Sequence, residues 1–122
     1  MKPHLHANAS VSKWGGKRED YIEIHEFIDH SKSSFADVRH RALLHNAWGV
    51  YVVERVFGRL ITNADGKEVS VRDIAEQHII EDLGRIPPVS DYLNNMQLQT
   101  WMGGPVSRKL KTKLPRLNIH LD

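Results

Sequence analysis

The stretch Ser70-Val71-Arg72-Asp73-Ile74-Ala75-Glu76-Gln77-His78-Ile79-Ile80-Glu81-Asp82-Leu83-Gly84 decides how the rest of the chain is read. Val71, Ile74, Ala75 and His78 recur at the three- and four-residue steps of one helix face. Ser70 stands where a hydroxyl accepts from a backbone N–H of the first turn, and Asp73, three residues on, resembles the second half of a capping box. Gly84 closes the segment as a C′ glycine does. The pattern predicts a helix to Leu83 with His78 on its inner face and Asp82 one turn further along. A histidine on an apolar face needs a polar partner inside the fold, so the same segment that sets the fold class also raises the functional question.

Upstream, Leu60-Ile61-Thr62 and Glu68-Val69-Ser70 flank Asn63-Ala64-Asp65-Gly66-Lys67, a short hairpin or structured loop. Its Asn-x-Asp-Gly run resembles part of a calcium loop, but Ile61 stands where an acidic ligand belongs and the later Glu is missing, which argues against calcium. Before it, Ser34 is placed to cap a long second helix through Phe57, with Val38, Ala42, His45, Gly49, Val52 and Val56 along one face. A first helix is expected over residues 18–31, with Tyr21, Ile24, His25 and Ile28 inward. Residues 1–16 show no helix period and read as extended, ending in the turn signal Trp14-Gly15-Gly16. Downstream, Ile86-Pro87-Pro88 is a rigid connection, after which Ser90 caps a fourth helix to about Trp101 with Tyr92, Leu93 and Met96 inward. The expected fold is mainly α: a compact bundle of about four helices with a short β-hairpin or loop between helices 2 and 3. Residues 1–104 make one helical domain with an extended N-terminal segment, and 105–122 form a basic C-terminal tail.

Composition narrows the functions available. A chain of 122 residues matches one domain, and 40% hydrophobic with 26% charged residues is ordinary globular composition. The absence of cysteine excludes disulfides, thiolate metal sites and cysteine nucleophiles. Met1-Lys2-Pro3-His4-Leu5-His6 has no apolar h-region and no apolar run could span a bilayer, so a cytoplasmic protein without a membrane partner is expected. Arg108, Lys109, Lys111, Lys113 and Arg116 stand against Asp122 in the tail, a local +4 that leaves −2 for the rest of a chain whose total is +2. Electrostatic binding of nucleic acid would therefore fall to the tail.

Eight histidines are the compositional oddity: His4, His6, His25, His30, His40, His45, His78 and His120. His25 precedes Asp29 by four residues and His78 precedes Asp82 by four, so each pair shares a helix face. Either pair can bind a metal directly, or its carboxylate can orient the imidazole. Asp37-x-x-His40 and His45 add donors on the second helix, although His40 and His45 lie too far round the helix to chelate one ion. His4 and His6 would point to the same side of an extended segment and form another pair. Imidazoles and carboxylates gathered inside a helical bundle hold a divalent transition metal such as zinc, manganese or iron. An ion with an open position acidifies bound water and supplies a hydrolytic nucleophile. Arg39, Arg41, Arg72 and Arg85 offer guanidinium groups to a phosphate or carboxylate. Several sharper motifs are absent, including His-Glu-x-x-His, His-Asp, Glu-x-x-His and the Gly-rich phosphate loops.

The segments Gly15-Gly16, Asp20-Tyr21, Ile24-His25, Asp29, Arg39-His40-Arg41-Ala42, His45, Phe57-Gly58, Glu76-Gln77-His78 and Glu81-Asp82-Leu83-Gly84-Arg85-Ile86-Pro87 resemble an uncharacterised family of small proteins encoded by bacteria and bacteriophages. The resemblance implies a compact helical domain and brings no activity, cofactor or catalytic residue with it. A phage setting would imply an accessory or anti-defence role.

The leading expectation from the residues is a metal site in the helical interior, with His25, Asp29, His40, His45, His78 and Asp82 as ligands or their supports. Arg39, Arg41 and Arg85 would contact a phosphate-containing substrate undergoing hydrolysis. The alternative is a binding module without catalysis that takes an anionic small molecule, nucleic acid or a host protein. A third is a subunit of an assembly, a homo-oligomer included, joined through the tail.

Overall fold

A computed structural model describes residues 1–104, and the basic tail lies outside the described residues. The chain is mainly helical with one small antiparallel sheet: α1 Pro3–Trp14, α2 Ile22–Asp29, α3 Arg41–Leu44, α4 Ala47–Phe57, β1 Leu60–Thr62, β2 Glu68–Ser70, α5 Val71–Leu83 and α6 Ser90–Leu93. Single 3-10 turns at Arg18–Asp20, His30–Ser33, Val38–His40 and Thr100–Met102 join them. Helix α5 is the hub, packing on α1, α2 and α4.

The deciding segment folds as its pattern predicts. The Ser70 hydroxyl accepts from the Asp73 amide, Gly84 takes up a left-handed conformation, and Val71, Ile74, Ala75 and His78 are all buried. Tyr21, Ile24, His25 and Ile28 likewise form the buried face of α2. With Val50 and Val53 of α4, Val69 of β2 and Ile79 of α5, the apolar residues of these two faces make a contiguous core. The hairpin pairs Leu60 with Ser70, Ile61 with Val69 and Thr62 with Glu68. Its turn uses the side chains that resembled calcium ligands for backbone amides. Asn63 Oδ1 accepts from Asp65 and Lys67, and Asp65 Oδ2 accepts from Gly16.

Three expectations are corrected. Residues 1–16 are not extended, because Pro3–Trp14 is helix α1. Pro3 occupies its first turn, where the missing N–H costs nothing. The face that α1 buries fully is His6, Ala7 and Ser10, and its apolar repeat is only the short run Ala7, Val11 and Trp14, the last two partly buried against the core. His4 and His6 therefore do not share a side, and His4 is exposed while His6 is fully buried.

The single helix from Ser34 to Phe57 is instead a 3-10 turn, α3 and α4, with a corner at His45-Asn46. Asp37, not Ser34, provides the first cap, accepting from the Arg39 amide. Asn46 is fully extended and re-caps the chain by accepting from the Gly49 amide while its own amide donates to Ala42 O. A Cβ on Gly49 would lie 1.8 Å from the Leu44 carbonyl oxygen, so the corner requires glycine there. The corner shifts the helix register, so Val50 and Val53 point inward and Val38 and Val56 outward.

The fourth helix stops at Leu93 after one turn instead of reaching Trp101. Asn94 and Asn95 follow, and the Asn95 amide donates to the Asp91 carbonyl, the local backbone competition by which asparagine ends helices. Leu93, Met96 and Trp101 are exposed, with only Tyr92 half-buried.

Candidate metal centre

Polar groups from α1, α2, α5 and the corner before α4 meet in one buried seam. His6, His25, His45 and His78 have no exposed surface, and His40 is 6% exposed. At one end, two carboxylates and two imidazoles converge. His78 Nε2 lies 3.2 Å from Asp29 Oδ1 and 3.3 Å from Asp82 Oδ2. His45 Nε2 lies 3.3 Å from the same Asp29 oxygen and 3.0 Å from the same Asp82 oxygen. All four donor atoms fall within 4.8 Å of one another.

Each donor is set by a local feature. The four-residue step of α5 brings His78 and Asp82 to one face, and Asp29 is the last residue of α2. His45 is delivered by the corner, where its carbonyl accepts from Tyr92 OH and the next amide but one, Ala47, donates to Pro87 O. Arg41 approaches Asp82 at 4.0 Å.

The electrostatics favour ionised carboxylates. Burial opposes ionisation of Asp29, but hydrogen bonds from His45 and His78 outweigh it and hold the carboxyl well below its ordinary range. Asp82 is displaced the same way: burial opposes, and His45, His6 and His78 prevail. Burial would lower His45, yet Asp29 and Asp82 hold it above its ordinary value. His25 has no carboxylate of its own, and burial, then His78 and His6, push it down to about 3. Among the described residues, the buried side-chain polar atoms without a hydrogen-bond partner are His45 Nδ1 and His6 Nε2.

The separations suit an ion. Bonds of about 2.0–2.1 Å in a tetrahedral arrangement place neighbouring ligand atoms roughly 3.3 Å apart. Four of the contacts between the carboxylate oxygens and the ring nitrogens span 3.0–3.3 Å. Two neutral imidazoles and two carboxylates form a donor set for zinc, manganese or iron. Asp29 opens the cluster to a cleft of about 490 Å³ that Lys2, Lys32, His40 and Arg41 also line.

A second group, His6, His25 and His78, also brings ring nitrogens together. There the His6 ring stacks on His78 at 3.7 Å with 23° between planes. Ring lone pairs lie in the ring plane, so stacked imidazoles aim them side by side and not at a shared point. This half of the seam is bonded internally instead: His6 Nδ1 to Glu81 at 2.7 Å, His25 Nε2 to Ser10 Oγ at 2.8 Å, and His25 Nδ1 to His78 Nδ1 at 2.9 Å.

The expected site residues thus divide. Asp29, His45, His78 and Asp82 converge, and His25 stands one ring behind His78. His40 is turned to the Ser31 hydroxyl at 2.9 Å and meets His45 edge to face. Arg41 lines the cleft, whereas Arg39 forks onto Asp37 and Arg85 pairs with Asp91 at the surface. Arg72 lies near Glu54. His30 is exposed, and His120 lies outside the described residues. Ser10, Gln77 and Glu81 carried no sequence signal as site residues. The trace available was the His6-Ala7-x-x-Ser10 spacing, which becomes a face only once the segment is known to be a helix.

The chain belongs to the family described as Domain of unknown function (DUF6915), whose model matches residues 1–102. No curated protein and no solved structure matches it. Among the described residues, no helix is long and apolar enough to cross a membrane.

Proposed function

We propose that this protein binds a divalent transition metal ion (zinc, manganese or iron) through Asp29, His45, His78 and Asp82, and hydrolyses a phosphate-containing substrate there. The observation that carries the metal reading is the set of 3.0–3.3 Å contacts linking two buried ring nitrogens to two carboxylate oxygens from separate elements. Four protein ligands fill a tetrahedron, so hydrolysis requires an ion that takes a fifth or sixth ligand, and a water in that added position would be acidified toward neutrality and would supply hydroxide. The chain's own contribution is orientation and charge. Asp29 and Asp82 stay ionised, the α3–α4 corner holds His45, and Lys2, Lys32 and Arg41 give the cleft cations for a phosphate group. Arg41 is the one of the expected substrate-binding arginines placed for this; Arg39 and Arg85 have surface carboxylate partners.

Metal analysis of untagged protein tests the reading, followed by hydrolysis of a nitrophenyl phosphate ester before and after chelation. About one ion per chain, lost together with turnover in His45→Ala and Asp82→Ala, is the expected result. Protein that takes up no metal, with stability indifferent to chelator, removes it. A non-catalytic binding module is the second reading, favoured by the exposed Leu93 at the end of α6 and Met96, Leu98 and Trp101 beyond it. Metal uptake without turnover on any phosphate ester would move the assignment there.

A further inference from the structure

A chain of hydrogen bonds leads away from His78 into the interior, and its proton positions can be deduced from the groups it ends on. Gln77 Nε2 sits 3.0 Å from the His6 carbonyl and 2.9 Å from a Glu81 carboxylate oxygen. Both neighbours only accept, so the amide nitrogen must be there and Oε1 must face Ser10. The Ser10 hydroxyl then has two acceptors beside it, Gln77 Oε1 at 2.7 Å and the His6 carbonyl at 3.1 Å. Its single proton goes to one of them. Toward His25 Nε2, 2.8 Å away, the hydroxyl can therefore only accept, and His25 must carry its proton on Nε2.

His25 is fully buried and, among the described residues, hydrogen-bonds to no carboxylate, so a second proton would leave an unpaired charge in the interior. Its Nδ1 is then bare and accepts from His78 Nδ1 at 2.9 Å. With the proton on Nδ1, Nε2 is the nitrogen of His78 left to meet the carboxylates or an ion held by them. That atom lies 3.2 Å from Asp29 Oδ1 and 3.3 Å from Asp82 Oδ2. Two carboxylate oxygens facing that nitrogen are matched either by an N–H at Nε2 or by an ion that takes the proton's place.

The geometry points to His25 as the positioning residue of the metal centre: together with Ser10 and Gln77 it fixes His78 in the Nδ1–H tautomer and aims the Nε2 lone pair at the ion. The inference rests on the metal-site reading above and gives His25 a role other than ligand. The arrangement is the histidine counterpart of the carboxylate or carbonyl that usually orients a metal-bound imidazole. It also accounts for a serine and a glutamine buried on facing helices, α1 and α5, where apolar residues would otherwise pack.

Two measurements on the full chain test it. The first is long-range 15N–1H correlation of the imidazoles near neutral pH, with and without zinc. His78 Nδ1 should be protonated in both states, with zinc shifting the Nε2 resonance alone, and His25 should be protonated on Nε2 only. A bare His78 Nδ1 in either state, or a zinc-shifted His25 nitrogen, overturns the inference. The second is cobalt(II) affinity, followed by its visible spectrum. His25→Leu leaves the His78 Nδ1–H without an acceptor and should weaken binding about 10- to 100-fold. His25→Gln offers a carbonyl to His78 and an amide to Ser10, so it should restore affinity most of the way. Ser10→Ala, a smaller change, should fall between the two and keeps the test available if His25→Leu does not fold. Equal affinity in wild type, His25→Leu and Ser10→Ala, or no rescue by glutamine, overturns the role while leaving the metal site standing. Wild-type protein that binds no cobalt, while its His78 proton still sits on Nδ1, would instead condemn the metal-site reading.

Discussion

The interior of this protein has two halves built on the same helices. On one side Ile24 and Ile28 of α2 meet Val50, Val53, Ile74 and Ile79 in an apolar core. On the other, His25 and Asp29 of α2 meet His78 and Asp82 of α5, with His6, Ser10 and His45 closing around them. The first half is non-directional and is stabilised by area removed from water. The second contributes nothing by area alone. Most of the buried ring nitrogens there are matched by a polar partner, and the matching runs short at His45 Nδ1 and His6 Nε2. One half holds the fold together and the other is held by it, which is the relation expected of a scaffold and a site.

That separation can be broken most directly from the apolar side. Ile74→Ala or Ile79→Ala, both buried completely, should cost about 2–5 kcal/mol in chemical denaturation. Metal affinity of the molecules that remain folded should be unchanged. If affinity falls in step with stability, the two halves are one cooperative unit and the division is wrong.

From the polar side, an ion that binds only the folded chain at a hundredfold over its dissociation constant adds about 2.7 kcal/mol. Zinc should raise the melting temperature of the wild type, chelator should reverse it, and Asp82→Asn should abolish the response. A zinc-induced shift that survives both Asp29→Asn and Asp82→Asn would place the ion elsewhere.

The response to pH sharpens the contrast. His45 is held above its ordinary pKa by Asp29 and Asp82 once their pull exceeds the burial penalty. In metal-free protein its contribution is fully present below the ordinary value of about 6.5 and is lost as pH rises through the raised one. An ion needs the bare nitrogen and displaces that proton. The gap in melting temperature between zinc-loaded and metal-free protein should therefore widen as pH rises across this range. A gap that is flat or narrows would mean that His45 is not exchanging a proton for the ion.

The smallest effect belongs to the surface. Arg39 is exposed and paired with its near neighbour Asp37, so Arg39→Ala should leave stability, metal affinity and ester turnover nearly as they are. Arg41→Gln, by contrast, should weaken binding of inorganic phosphate in the cleft without changing metal uptake. A phosphate affinity that depends on Arg39 and not on Arg41 would move the substrate away from the cleft.

The two halves also differ in how far they could be read from sequence. The apolar faces of α2 and α5 repeat at helical spacing, and the Ser70 cap and Gly84 mark the ends of α5, so both helices and the inward turn of His25 and His78 were legible. Asp29 and Asp82 followed from the four-residue step. Helix α1 was not legible because the face it buries fully is histidine, alanine and serine, which leaves Ala7, Val11 and Trp14 as a short, weak apolar period. The corner at His45-Asn46 was hidden for another reason. It depends on the close approach of Gly49 to the Leu44 carbonyl, a tertiary fact that a glycine in a helical pattern does not announce. Sequence could bring imidazoles inward, but which nitrogen faces which oxygen needed three-dimensional placement. That is why His25 stood beside His45 and His78 among the first ligand candidates, with His40 next to complete or orient the shell.

Anomalous diffraction from crystals grown with zinc, with data on both sides of the zinc absorption edge, tests the central claim most directly. One peak is expected, bonded at about 2.0–2.1 Å to Asp29 Oδ1, His45 Nε2, His78 Nε2 and Asp82 Oδ2. A peak on His25 or His6 in place of His45, or zinc only at surface histidines, would contradict it.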